Sequence, residues 1–134
     1  HPGEYRRLAE PLGIRLDPSD ADQRPEAAAK LAREYRGVVV LKGMHTVVTD
    51  GEQSYVNHSG NPALATAGSG DVLTGAIAAL AAQGMSDYDA AVLGVYLHGL
   101  AADLWAGEHG RAGLAARDLI AQLPAALAHL RRGS

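Results

Sequence analysis

The order of apolar and polar positions divides the chain into alternating helical and extended stretches. From Glu4 to Leu12 apolar side chains recur at Tyr5, Leu8, Ala9 and Leu12, one face of a short helix, and Gly13 follows as a stop. Asp17 to Arg24 is polar and contains Pro18, which predicts a loop. Pro25 then suits the first turn of a helix running to Arg36 and ended by Gly37. Val38-Val39-Val40-Leu41 is an unbroken, mostly β-branched run, the pattern of an interior strand covered on both faces in a parallel sheet. Thr46 to Thr49 and Gln53 to Val56 flank Asp50-Gly51, whose tolerance of positive φ predicts a β-hairpin. Asn57 to Gly70 mixes Gly and Pro with Ser, Asn and Thr, a long irregular loop of the kind compact domains keep for function. A helix is predicted from Asp71 to Ala82 and closed by Gly84. Ser86 or Asp87 caps another running through Leu93, Leu97 and Leu104 to about Ala106. From Ala115 the tail is helical, and Pro124 breaks that helix or starts a second one. No repeat, linker or low-complexity segment is visible.

Composition narrows the function classes. The chain has 134 residues, 15 acidic against 12 basic side chains and a formal net charge of -3, so no electrostatic footprint for a nucleic-acid backbone or an anionic membrane surface is present. The length suits one domain at most. Zero Cys removes disulfides, thiolate nucleophiles and Cys-based zinc sites, and suits a cytoplasmic setting. Apolar runs are interrupted well before the roughly 18 residues needed to span a bilayer, so no membrane role is expected. Phe is absent and Ala abundant, which predicts helices lying close on a sheet. The chain opens on His1-Pro2-Gly3-Glu4 with no initiator Met and reads as a piece of something longer.

The strongest chemical signal is Ala67-Gly68-Ser69-Gly70-Asp71 at the mouth of an apolar helix. Two glycines let the backbone approach a ligand, and first-turn N–H groups attract an anion. A carboxylate beside a bound phosphate would repel it, so Asp71 makes more sense as a base that takes a proton from a hydroxyl attacking phosphorus. The competing reading is plain N-capping by Ser69 or Asp71. The segment matches neither the P-loop nor the dinucleotide fingerprint, since no Gly-Lys-Ser or Gly-Lys-Thr follows and a third Gly is missing. Lys42-Gly43 sits at the carboxyl end of a strand, where ligands collect in open α/β sheets; Lys42 either holds phosphates or simply faces solvent. Thr46 either caps the same pocket or only favours the next strand. The six His show no metal-ligand spacing. His98 lies on an apolar helix face and reads as a packed, hydrogen-bonded residue. Asp89, Asp103 and Glu108 read as solvated helix charges. Ser59, Ser69 and Ser86 lack an elbow or a paired base, so acyl transfer has little support.

Together, His1-Pro2-Gly3-Glu4, Leu41-Lys42-Gly43, Gly60-Asn61-Pro62, Ala67 to Gly75 and Tyr96-Leu97-His98-Gly99 form an ordered set. The chain resembles the carboxyl-terminal half of the ADP/ATP-dependent NAD(P)H-hydrate dehydratases over nearly its whole length. The Gly-Ser-Gly-Asp element is shared with many ribokinase-like kinases, whereas its combination with His-Pro-Gly-Glu and Tyr-Leu-His-Gly is more specific. The resemblance implies a ribokinase-like three-layer α/β/α fold with a central, mostly parallel sheet plus the β-hairpin. It also implies an enzyme that phosphorylates the ring hydroxyl of hydrated NADH or NADPH with ADP or ATP and Mg²⁺, then eliminates phosphate.

By the same resemblance Asp71 is the catalytic base and a substrate contact, and Gly68, Ser69 and Gly70 form the anion hole. Lys42, Gly43, Met44, His45, Thr46 and Gly70 hold the nucleotide, His1 contacts substrate, and Asn61 is a candidate loop contact. No all-protein metal cage is implied. Expected partners are the small-molecule substrate, the amino-terminal half of the same domain, further copies in a homo-oligomer, and an epimerase domain or protein. Without that half the Val38–Leu41 strand would expose an edge, and this stretch alone should not turn over. One departure is Ala63, where many members carry Gly after Asn-Pro. Two other readings share the motifs: a ribokinase-like kinase of a sugar or vitamin precursor, and a non-catalytic nucleotide-binding module.

Overall fold

The computed structural model describes residues 23–132; the expected Glu4–Leu12 helix and His1 lie outside them. The chain divides into two compact units, His1–Asn57 and His58–Ser134.

The first unit holds α1 (Arg24–Tyr35), β1 (Val39–Leu41), β2 (Val47–Thr49) and β3 (Ser54–Val56). Helix α1 begins one residue before the expected Pro25, with Pro25 in its first turn. It ends on Arg36 at φ 52°, so the left-handed residue is Arg36 rather than Gly37. Ala27, Ala28 and Leu31 pack against Leu41 and Val47, with Val39 and Val56 beside them. The alanines present almost no side chain, which brings the helix close to the strands, as the Phe-free composition suggests.

The three strands form a sheet in the order β1-β2-β3, and both pairings are antiparallel. The expected parallel, interior position of Val38–Leu41 is therefore not what the described residues show: β1 is an edge strand among them. The reason is the short Lys42–Thr46 connection, which can reverse the chain but cannot make the crossover that parallel pairing needs. The hairpin is where Asp50-Gly51 put it, with Val47 opposite Val56 and Thr49 opposite Ser54. Asp50 Oδ1 accepts the N–H groups of Glu52 and Gln53 at 2.9 Å each, and Gly51 adopts φ 98°. These bonds, led by that from Gln53, hold the Asp50 carboxyl below its ordinary range.

The second unit holds a 3₁₀ turn (Pro62–Leu64), α2 (Ser69–Ala82), α3 (Asp87–His109) and α4 (Ala116–Arg132). Ser86 caps α3 by accepting from Asp89 N–H at 3.1 Å. The core joins Leu97, Ala101, Ala102 and Trp105 of α3 to Leu114 and to Leu119 and Ala126 of α4. Helix α4 runs through Pro124 without a break. Its buried Leu119 and Ala126 tie both sides of the proline to one core, which outweighs the roughly 3 kcal/mol a mid-helix proline costs. Gly94 lets α2 and α3 approach: a Cβ there would stand 2.6 Å from Ile77 Cγ1. Helix α3 is long and apolar enough to span a membrane by length and composition alone, but 56% of its most apolar window is buried within the protein. It is the core helix of this unit.

Candidate functional site

Two loops carry the candidate residues, one in each unit. In the first, the Lys42–Thr46 connection turns at Gly43-Met44-His45 between β1 and β2. Lys42, Gly43 and His45 are exposed, and Met44 is 91% exposed. Thr46 is half-buried; its hydroxyl stands 3.4 Å from both Gly43 N and Gly43 O. Those are long contacts that steady the turn only weakly.

Beneath this loop lies Arg24, 9% exposed. Its Nη2 donates to the carbonyls of Leu41 at 2.9 Å, Lys42 at 3.3 Å and His45 at 3.5 Å. Burial lowers the guanidinium pKa from its ordinary value, yet Arg remains charged at any physiological pH. A Cβ on Gly43 would stand 2.8 Å from that Nη2, so a side chain there would push against the guanidinium.

In the second unit, Gly68 adopts φ 83° as the residue before α2, and no side chain caps the helix. Ser69 N–H donates to Thr66 O at 3.3 Å, and Val72 N–H opens the helical ladder on Gly68 O at 3.1 Å. Gly70 and Asp71 are thus first-turn positions whose N–H groups have no acceptor within the helix. The capping reading of Ser69 and Asp71 fails on this geometry. Asp71 is exposed at the helix mouth, while Ser69 is buried.

What holds Ser69 is His98, 7% exposed. Its Nε2 lies 3.0 Å from Ser69 O and 3.2 Å from Ser69 Oγ. A Ser–His contact at this distance invites comparison with a nucleophile and its base. The carbonyl contact argues otherwise: a carbonyl only accepts, so Nε2 carries the proton and has no lone pair with which to take one from Ser69. His98 is the packed, bonded residue its apolar face predicts, and its partner is the loop that opens α2.

The same helix holds the earlier part of the loop. Asp103 accepts from Gly60 N–H at 2.8 Å and from Asn61 Nδ2 at 2.9 Å. It is half-buried and not the solvated charge its helical position suggests. Asn61 Oδ1 also accepts from Ala63 N–H at 2.9 Å, capping the 3₁₀ turn, so this candidate contact residue is committed to shaping the loop. Ala63 packs at the edge of the core as part of that turn. Ser59 Oγ donates to Tyr96 O at 2.9 Å, and Gly99 makes room: a Cβ there would collide with Ser59 Oγ and stand 2.6 Å from the Ser59 carbonyl carbon. The Tyr-Leu-His-Gly run therefore places Ser59 and Ser69 from one stretch of helix. Among the described residues, no group of three or more His, Asp or Glu is placed to hold a metal ion.

The α/β chain, with an uncapped, glycine-opened helix bearing an exposed Asp in its first turn, has the ribokinase-like fold of its solved relatives. The profile of the NAD(P)H-hydrate dehydratase family matches residues 1–125, and the chain belongs to that family. It is 48% identical over 132 residues to the bifunctional NAD(P)H-hydrate repair enzyme Nnr of Moorella thermoacetica, covering 97% of this chain and 24% of that protein. It is also 48% identical, over 105 residues, to the ADP-dependent (S)-NAD(P)H-hydrate dehydratase of Neisseria meningitidis, covering 78% of this chain and 34% of that one. The crystal structure of the ADP/ATP-dependent NAD(P)H-hydrate dehydratase of Bacillus subtilis, co-crystallised with ATP/Mg²⁺, superposes with a TM-score of 0.84 at 35% identity, over 96% of this chain and 46% of that chain. The chain thus spans about a quarter of the bifunctional relative's length and under half of the solved one's.

Proposed function

We propose that this chain is the carboxyl-terminal half of a ribokinase-like domain that dehydrates NAD(P)H-hydrate at the expense of ADP or ATP. The observation that carries the reading is the open first turn of α2, with Gly68 at φ 83° and no side-chain cap, beside the exposed Asp71. Backbone N–H groups there donate to the oxygens of a phosphoryl group, and the helix dipole favours its charge. Asp71 takes the proton from the ring hydroxyl as that oxygen attacks the terminal phosphorus of the nucleotide, whose bridging P–O bond breaks to release AMP from ADP or ADP from ATP. The phosphorylated hydroxyl then leaves as phosphate: its C–O bond breaks, a proton departs the neighbouring ring carbon, and the ring double bond returns.

Lys42 to Thr46 hold the nucleotide, with Gly70 touching its phosphates, and His1 contacts substrate. Mg²⁺ arrives on the nucleotide, bound by phosphate oxygens and water, and neutralises charge on the transferring group. The names of the Neisseria and Bacillus relatives support nucleotide dependence, and the ATP/Mg²⁺ co-crystal supports the ion. The complementary half supplies further sheet strands and substrate contacts, so this stretch alone does not turn over. A cytoplasmic, homo-oligomeric protein, with an epimerase domain or protein working beside it, belongs to the same proposal.

The test uses the full-length protein with hydrated NADH, ADP or ATP, and Mg²⁺. Recovery of reduced-nicotinamide absorbance that requires nucleotide and vanishes in Asp71→Asn supports the proposal. A stable phosphoester without such recovery points to a small-molecule kinase, and nucleotide binding indifferent to Asp71→Asn, without turnover, to a binding module.

A further inference from the structure

We infer that Arg24 is a positioning residue for nucleotide binding, an inference that rests on the reading of Lys42–Thr46 as the nucleotide loop. Nothing in the local sequence marks Arg24 for this role, since it opens a helix whose other buried residues are alanines and Leu31. Its guanidinium nevertheless reaches across 17 residues to the carbonyl of Leu41, and on to those of Lys42 and His45.

These three carbonyls bracket the turn. Leu41 is the last residue of β1, Lys42 the first of the connection, and His45 its far side. A single charged nitrogen, Nη2, holds the Leu41 carbonyl at 2.9 Å and reaches that of Lys42 at 3.3 Å, with His45 O a longer contact at 3.5 Å, and so fixes the start of the turn from behind. With the turn held from its carbonyl side, Lys42, Gly43, Met44 and His45 remain exposed. A loop that meets a ligand mainly through backbone and a short run of side chains depends on such support, because each residue it must order on binding weakens affinity. The guanidinium also places a fixed positive charge under a loop assigned to an anionic ligand.

Gly43 completes the arrangement. The 2.8 Å that would separate its Cβ from Arg24 Nη2 means that any side chain at 43 displaces the guanidinium or the turn. A side chain at 43 and the guanidinium of Arg24 therefore compete for the same space, and the two positions are energetically coupled.

The experiment measures nucleotide affinity and steady-state kinetics of the full-length protein for Arg24→Met, Arg24→Lys, Gly43→Ala and the double variant Arg24→Met/Gly43→Ala, with ATP and Mg²⁺ as the probe. Arg24→Met should raise the nucleotide Kd and KM about tenfold or more, the loss expected for charged hydrogen bonds, while kcat at saturating nucleotide stays within about twofold. Arg24→Lys should recover part of the affinity. Gly43→Ala should weaken binding, and should do so less when added to Arg24→Met, where the obstructing guanidinium is gone. Amide hydrogen exchange at 43–46 should accelerate in Arg24→Met.

Wild-type affinity in Arg24→Met, or a fall in kcat matching the loss of melting temperature with KM unchanged, overturns the inference. If Arg24→Met does not fold, Gly43→Ala against wild type decides, since it strains the same contact with Arg24 in place; unchanged affinity there is equally fatal. A wild-type protein that turns over without binding nucleotide at all removes the functional reading itself, and with it this role. Failure confined to the Arg24 and Gly43 variants leaves that reading standing.

Discussion

The loop at 42–46 rests on a charge, whereas the loop at 59–71 rests on the face of a helix. Behind the first stands one guanidinium, that of Arg24, which donates to three carbonyls along a single turn. Behind the second stand several groups spread along α3: Tyr96 O holds Ser59, His98 holds Ser69, and Asp103 holds Gly60 and Asn61. One charged donor can organise one short turn because the carbonyls it serves lie within reach of a single nitrogen. A long loop has too many backbone groups for one side chain, and a helix supplies anchors at regular intervals. Glycine serves both designs where another backbone or side chain comes too close for a Cβ, as at Gly43 against Arg24 and Gly99 against Ser59.

On the proposed function the second loop carries the chemistry and the first the binding, and the two roles separate in kinetics. Asp71→Asn should lower kcat about 10²–10⁴-fold with nucleotide affinity retained, as expected for loss of a general base. Lys42→Met should instead act mainly on nucleotide KM, by about tenfold, through loss of a charge at the phosphates. Single-turnover and binding measurements on both variants would show the two effects; a kcat loss in Lys42→Met as large as in Asp71→Asn would dissolve the division.

Support of the second loop by α3 predicts that Gly99→Ala lowers stability by about 3 kcal/mol, because the new Cβ meets the backbone of Ser59. In contrast, Gly75→Ala, with nothing within 4 Å, should raise it slightly. Denaturant unfolding of both variants reads the difference. Asp103→Ala removes the acceptor for Gly60 N–H and Asn61 and should cost about 2 kcal/mol. Faster amide exchange at 60–64 should accompany that loss; an unchanged exchange rate would mean the loop holds itself.

The smallest effect concerns the hairpin beside the first loop. Because its backbone hydrogen bonds depress the Asp50 carboxyl in the folded state, its stabilising contribution is present above the ordinary carboxylate pKa of about 4. That contribution is lost as pH falls through the lower folded value. Asp50→Asn should therefore flatten the fall in melting temperature in acid, and an unchanged acid limb would show that the turn does not depend on this charge.

Much of the architecture was legible wherever its cause lies within a few residues. Asp50-Gly51 specified the hairpin because the Asp side chain bonds the next two N–H groups and Gly51 takes φ 98°. Ser86 marked the start of α3 for the same kind of reason. The Gly-Ser-Gly-Asp run announced an open helix mouth, although not that α2 begins at Ser69. Pro124 misled, since the local cost of a proline is readable from sequence while the core that holds both sides of α4 is not. The β-branched run at Val38–Leu41 identified a strand correctly, and the short connection that follows it made its pairing with β2 antiparallel.

The sequence by itself determined the described helices apart from the effect of Pro124, the hairpin, Asp71 beside two glycines at a helix mouth and, through the ordered set of motifs, the family, because periodicity, turn chemistry and short motifs act through neighbouring residues. Only the tertiary structure decided what Arg24, His98 and Asp103 do. Their partners lie 17 to 21, 29 and 42 to 43 residues away. A buried or half-buried polar side chain must find a partner, but which one it finds is set by packing of whole elements, and no local pattern records that choice.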